Sequence, residues 1–375
     1  MAVAEAPTAK SSPYDKIAPG IKLTAQMSPE PKEEDLQWVA QMGVKHTVLW
    51  TDETKSSAEY YRSRKELYAQ YGISVYGFGN GSVHNQDAIV LGLENRDAKV
   101  KQYLQHLRDL GAAGIPYTTY AHMANGIWSS EREKTRGGAD ARALDMSSAS
   151  AAGHWGKRRH TLPLSNEREY SEDELWENFE YFIRQAARVA EQEGVLIGIH
   201  PDDPPGLTEI GGVPRLFSTL ERYKKALQIA NSPNVGVCLC VGCWLEGGDL
   251  MGATPEEAIA YFGSQKKLFK IHFRNVDQPL PHFVETFLDD GYKDMYLVMK
   301  ALEEADFKGV VIPDHIPRMS GDASRGTAFT LGYMKAMIER AEQEVGRRKY
   351  SLSLKPPEFQ RGSPDPLFLP LLPTP

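Results

Sequence analysis

The chain has 375 residues, 41% hydrophobic and 25% charged, with 43 Lys and Arg against 50 Asp and Glu for a formal net charge of −7. That length gives room for two average domains or one α/β barrel with insertions, and the composition supplies ample apolar material for a core. The acidic balance argues against gripping nucleic acid, which needs a basic face, and no apolar run approaches the roughly 20 residues of a membrane span.

Residues 1–19, rich in Ala, Pro and Ser, lack the continuous apolar core of a signal peptide and read as a flexible N-terminal segment. From Gly20 the chain repeats one pattern: a short β-branched run, a turn rich in Gly, Pro, Asp or Asn, then an amphipathic stretch. Strands are expected at 21–26, 46–50, 73–79, 115–121, 196–200, 235–240, 268–273 and 310–315. A helical stretch follows each, at 32–42, 57–71, 96–110, 172–192, 214–230, 255–262, 294–305 and 328–345. In the fourth, Leu175, Phe179, Phe182 and Ala186 share one face, and Ser171 with Glu174 has the spacing of a capping box.

Eight βα units over residues 20–345 predict an α/β fold, a (β/α)8 TIM barrel. An open doubly wound sheet is the rival, but the Gly-rich dinucleotide turn after the first strand is absent. Residues 122–170 make a polar excursion after strand four, too long for a passive connection, and read as a lid or binding loop. Residues 346–375, with seven prolines among the last 20, predict an extended tail whose "LFLPLL" either covers a partner subunit or is loosely held. A homo-oligomer is expected.

The last four strands carry metal-binding side chains at their C-terminal ends, where such barrels place active sites. They are His200, Cys240, His272 and Asp314, the last followed by His315, at separations of 40, 32 and 42 residues, each one βα repeat. Alone, each has a structural reading: a hydrogen-bonded histidine, a small buried cysteine, a capping aspartate. Together they point into one bowl and offer two imidazoles, a thiolate and a carboxylate, suited to Mn, Fe or Zn more than Mg or Ca. Cys238 lies one layer deeper and Cys243 past the strand; the clustering of all three cysteines fits a reducing cytoplasm better than a disulfide framework.

The motifs "IHPDDPP", "CxG" at Cys240 to Gly242, "IHFRNV" and "PDH" resemble those of the mannonate dehydratase family, metal-dependent barrels similar to xylose isomerase. The likeness runs from about residue 20 to 345, with these motifs in the family's order. It implies His200, Cys240, His272 and Asp314 as ligands of Mn2+ or Fe2+ and His315 as a catalytic acid/base. It further implies that a sugar acid such as D-mannonate loses water to give a 2-keto-3-deoxy acid.

An anionic substrate needs positive and polar partners. Arg274 and Arg318 are the leading arginines, with Arg215 and Arg136 weaker, and Asp202, Asn275 and Trp128 complete the candidate substrate contacts. The family's tyrosine soon after the Asp-His pair is missing: no Tyr follows until Tyr333, and Ile316 stands where the family has Gly. Tyr120 or His122 is the expected replacement acid. The departure also leaves open a metal-dependent isomerase or epimerase, or a barrel that only binds sugar.

Overall fold

The computed structural model describes residues 12–353. Its strands β1 (Lys22–Met27), β2 (His46–Thr51), β3 (Ser74–Asn80), β4 (Tyr117–Tyr120), β5 (Leu196–Ile199), β6 (Val235–Cys240), β7 (Leu268–Phe273) and β8 (Val310–Pro313) form one eight-stranded sheet. All neighbours are parallel, in the order β3-β2-β1-β8-β7-β6-β5-β4. The two ends, β3 and β4, lie side by side and complete the ring. Side chains close this seam: the rings of Tyr76 and Tyr117 sit 5.3 Å apart, and a Cβ on Gly77 would stand 2.6 Å from Tyr117. Only glycine lets the strands approach there.

Helices α1 (Glu33–Gln41), α2 (Ala58–Ala69), α3 (Arg96–Ala113), α4 (Glu172–Glu193), α5 (Leu220–Ala230), α6 (Pro255–Ser264), α7 (Met295–Glu304) and α8 (Ser324–Ser353) follow the strands in turn. The expected (β/α)8 barrel is therefore the fold. Helix α4 shows why the sequence encodes these elements: the Ser171 hydroxyl accepts from the Glu174 N–H, Leu175, Phe179, Phe182 and Ala186 are buried, and Gly194 ends the helix at φ +67°. Helix α5 starts at Leu220, behind its cap Thr219, and not at Pro214, because Val213–Pro214 pairs with Glu209–Ile210. Two short α-helices among the described residues escape the periodicity, Asp87–Val90 after β3 and Val241–Gly247 directly after β6.

Residues 12–19 do not behave as a flexible segment. Pro13–Lys16 forms a 3-10 turn that seats Tyr14 among Val48, Tyr76, Tyr117, Leu196, Phe269 and Val310, at the end of the barrel remote from the strand C-termini. Its hydroxyl accepts from the Lys308 N–H at 3.0 Å. At the other end of the chain α8 runs through 346 to Ser353, where a tail was expected; 354–375, including "LFLPLL", lie outside the described residues.

The excursion at 122–170 is structured. Ile127–Ser129, Ala152–Trp155 and Arg158–His160 form an antiparallel sheet, while Ala143–Asp145 pairs with His282–Thr286 from the segment after β7. This second pairing fastens the excursion over the C-terminal mouth of the barrel.

Candidate active site

Strand register explains how distant residues converge. Cys240 on β6 pairs with His272 on β7, and His272 with Ile312 on β8. Side chains alternate along a strand, so Asp314, two beyond Ile312, returns to the same inward face. Ligand atoms of Cys240, His272 and Asp314 all lie within 4.8 Å of one another, as do those of His200, Cys240 and Cys243. Cys240 Sγ is 3.4 Å from Asp314 Oδ2, His272 Nδ1 is 3.7 Å from Asp314 Oδ1, and the rings of His200 and His272 are 5.0 Å apart. The four strand-end residues thus form one cluster.

The donor set fits a divalent cation on two independent observations. Both ring nitrogens of His272 are buried without a hydrogen-bond partner, a costly state that a bound ion would relieve at one of them. His200 donates its Nδ1–H to the Pro201 carbonyl at 2.7 Å, the usual second bond of a ligating histidine, which leaves Nε2 for a metal. Cys240 caps the helix Val241–Gly247 and accepts from the Cys243 N–H at 3.4 Å. Burial opposes a Cys240 thiolate, but the bond with Cys243 and the Arg274 guanidinium outweigh it and hold the pKa well below the thiol range. Burial likewise opposes charge on His200, yet its bond to Cys240 raises its pKa. The cluster is a negative field that draws positive charge.

Around these side chains lies a buried electrostatic network. Arg274 is 1% exposed; its Nε–H donates to Asp314 at 2.9 Å, and its other nitrogens donate to Glu246 and, at 2.7 Å, to Glu285. Arg142, from the excursion, donates to Asp203 at 2.5 Å, Glu285 at 2.9 Å, Glu246 at 3.1 Å and the Trp128 carbonyl at 2.6 Å. Burial pushes the Glu246 carboxyl up to about 8 against the pull of Arg274. Burial also acts against Glu285, but His315 and Arg274 outweigh it and hold that carboxyl well below the usual range. Asp203, Cys243 and Glu246 also come within 4.8 Å of one another. Two guanidiniums already neutralise this grouping, and burial raises the Cys243 pKa, so it remains a thiol.

His315 donates its Nδ1–H to Glu285 at 2.7 Å, which fixes the ring. Enclosure alone would lower its pKa; the carboxylates of Glu285 and Asp314 outweigh that and raise it to about 9. His200, His272, Asp314, His315 and Asp203 open together onto a cavity of about 350 Å³, walled also by Trp50, His84 and Trp155.

Several expected substrate contacts lie elsewhere. Arg274 is absent from the cavity wall, and its donors are taken by Asp314, Glu285 and the sulfurs of Cys240 and Cys243, which places it behind the cluster. Trp128 is fully buried beside Asp203, whose carbonyl accepts the Trp128 backbone N–H at 3.0 Å. Asn275 is fully buried and ties the carbonyls of Leu288 and Lys293 at 3.1 and 2.9 Å. Asp202 accepts from the Phe217 N–H at 2.8 Å; its neighbour Asp203 faces the cavity in its place. Arg318 sits on the rim with 73% of its side chain exposed, its backbone bridged to Asp140. Arg215 is buried against the carbonyls of Asp203 and Pro204, and Arg136 pairs with Asp289 outside the cavity.

The proposed replacement acids also turn away. Tyr120 is fully buried, stacked on Phe182 at 4.6 Å, and shares a 2.8 Å hydrogen bond with His122, itself packed edge-on against Phe179. Neither lines the cavity. Sequence reasoning missed Arg142, Glu246, Glu285 and His84. The acidic residues gave no signal beyond their charge, but the "GSVH" turn at the end of β3 follows the same strand-end logic that found His200.

The D-mannonate dehydratase (UxuA) family model matches residues 30–343. A mannonate dehydratase of Streptococcus suis (strain 05ZYH33) is 29% identical over 287 residues, 71% of this chain and 76% of that one. The mannonate dehydratase of Oceanobacillus iheyensis is 29% identical over 311 residues, covering 74% and 84% of the two chains. The crystal structure of mannonate dehydratase from Streptococcus suis serotype 2 superposes with a TM-score of 0.74 at 25% identity, over 88% of this chain and 95% of that one. With its motifs and all four strand-end residues inside the matched span, the chain belongs to the D-mannonate dehydratase family.

Proposed function

We propose that this protein is a divalent-metal-dependent hydro-lyase that removes water from D-mannonate to give 2-keto-3-deoxy-D-gluconate. The carrying observation is the convergence of His200, Cys240, His272 and Asp314, with both His272 nitrogens unpartnered, beside His315 in one cavity of a chain of this family. The mixed nitrogen, sulfur and oxygen donors favour Mn2+ or Fe2+. A cation held there would bind the substrate's carboxylate and 2-hydroxyl oxygens and stabilise charge developing at C2.

The chain's own residues supply the rest. Arg274 and the helix-capping position fix Cys240 and Asp314, so the ligands are ordered before substrate enters. His315, with Nδ1 committed to Glu285, offers Nε2 to the departing 3-hydroxyl as proton donor. The excursion's Ile127 and Trp155 wall the cavity and exclude water. None of the three cysteines is joined in a disulfide, which supports a reducing cytoplasmic setting, and no described helix is long and apolar enough to cross a membrane.

Purified protein incubated with D-mannonate and Mn(II) is expected to form a 2-keto-3-deoxy acid. No product from any aldonate would sink the proposal, and C2 exchange with solvent deuterium without elimination would favour an epimerase.

A further inference from the structure

Elimination of water across C2 and C3 needs two proton-handling groups, one for the C2 proton and one for the leaving hydroxyl. The loop after His315 offers no tyrosine, and Tyr120 and His122 are buried in the core. The ionisable side chains lining the cavity are His84, His200, Asp203, His272, Asp314 and His315. His200, His272 and Asp314 belong to the proposed metal cluster, and Asp203 is neutralised by Arg142 at 2.5 Å. His84 and His315 remain.

His84 has the geometry of a base. Its Nδ1 lies 2.9 Å from the Thr119 carbonyl oxygen, which can only accept, so the proton sits on Nδ1 and Nε2 carries the lone pair. The ring is braced edge-on by Trp50 at 4.8 Å and on its face by Trp155 at 5.4 Å. Its backbone is locked as well: the N–H donates to Asn80 at 2.8 Å and the carbonyl accepts from Ala121 at 3.0 Å. His84 follows β3, three strands round the ring from β8, whereas the metal-binding residues lie at the ends of β5 to β8. His84 and His315 therefore line the same cavity from opposite parts of the ring, with the candidate metal ligands on the β5 to β8 side. Burial lowers the His84 pKa to about 3, which keeps the ring neutral.

We infer that His84 is the general base of the dehydration, taking the C2 proton on Nε2 while His315 protonates the departing 3-hydroxyl. This rests on the dehydratase reading. The C2–H pair becomes the C2–C3 double bond, the C3–O bond breaks, and hydroxide leaves as water with the His315 proton. The enol then ketonises: C3 takes the proton held by His84 and the 2-hydroxyl proton returns to His315, so both histidines are restored.

The test uses full-length protein loaded with Mn(II) and D-mannonate labelled with deuterium at C2. Wild type should turn over with a primary isotope effect, and the deuteron taken from C2 should appear at C3 of the product or in solvent. His84→Gln, with metal content and folding matched to wild type, should lose roughly 100-fold or more in kcat and retain the label in unreacted substrate. His315→Asn should still wash out the label without eliminating. In His84→Ala, added imidazole should restore turnover, which separates proton transfer from a structural role even where His84→Gln loses metal. Turnover within about threefold of wild type in metal-loaded His84→Gln, or no imidazole rescue, overturns the assignment. If wild type itself gives no product, the dehydratase reading fails and this assignment with it.

Discussion

Arg142 and Glu285 meet at 2.9 Å although 143 residues separate them. The contact joins the excursion after β4 to the segment after β7, and Glu285 in turn holds His315. The cover of the cavity and His315 therefore share one buried carboxylate.

Removing Arg142 should uncouple that cover. Arg142→Ala strips the buried carboxylates of Asp203, Glu246 and Glu285 of a common partner, and breaking such a pair costs about 3–5 kcal/mol. Urea unfolding should register that loss, and limited proteolysis should cut within 122–170 faster than in wild type.

Glu285→Gln leaves the shape of the site but weakens its hold on His315, and leaves Arg274 and Arg142 short of one counter-charge. Turnover should fall roughly 10- to 100-fold with little change in KM, because His315 acts after binding. Steady-state kinetics on D-mannonate would check the split; a change confined to KM would contradict it.

Metal removal gives a readout independent of turnover. Dialysis against a chelator should lower Tm, and a cation at a hundredfold excess over Kd should restore about 2.7 kcal/mol. His272→Ala and Cys240→Ala should each abolish stoichiometric metal by elemental analysis, whereas Cys243→Ala, on a thiol kept protonated, should retain it.

Stability should decline in acid through a histidine remote from the site. His106 lies buried between the Tyr61 hydroxyl at 2.9 Å and the Thr118 hydroxyl at 3.1 Å, and burial lowers its pKa to about 3. Between that value and the unfolded value near 6.5, the unfolded chain binds a proton that the folded chain does not. Stability is thus lost as pH falls through this window, by up to about 1.4 kcal/mol per pH unit from this group. Denaturant unfolding from pH 7 to 5 should show a shallower slope in His106→Gln.

The sequence by itself determined the barrel and the cluster of candidate metal ligands. Strands alternate faces with a period of two, and each candidate ligand falls at a strand end one βα repeat from the next, so closing the ring suffices to gather His200, Cys240, His272 and Asp314. Tertiary structure alone decided which charged groups meet substrate and which meet each other. Arg274 reads from sequence as a substrate contact, yet Glu246 and Glu285 reach it from a short helix and a separate strand and consume its donors. Arg142 lies 104 residues from Glu246, and no local pattern announces such a pairing. Tyr120 and His122 face helix α4 and its neighbours because the chain leaves the ring at the end of β4, while the turn after β3 brings His84 to the cavity. A polar side chain at a strand end is legible in sequence; the partner that claims it is fixed only when distant elements pack.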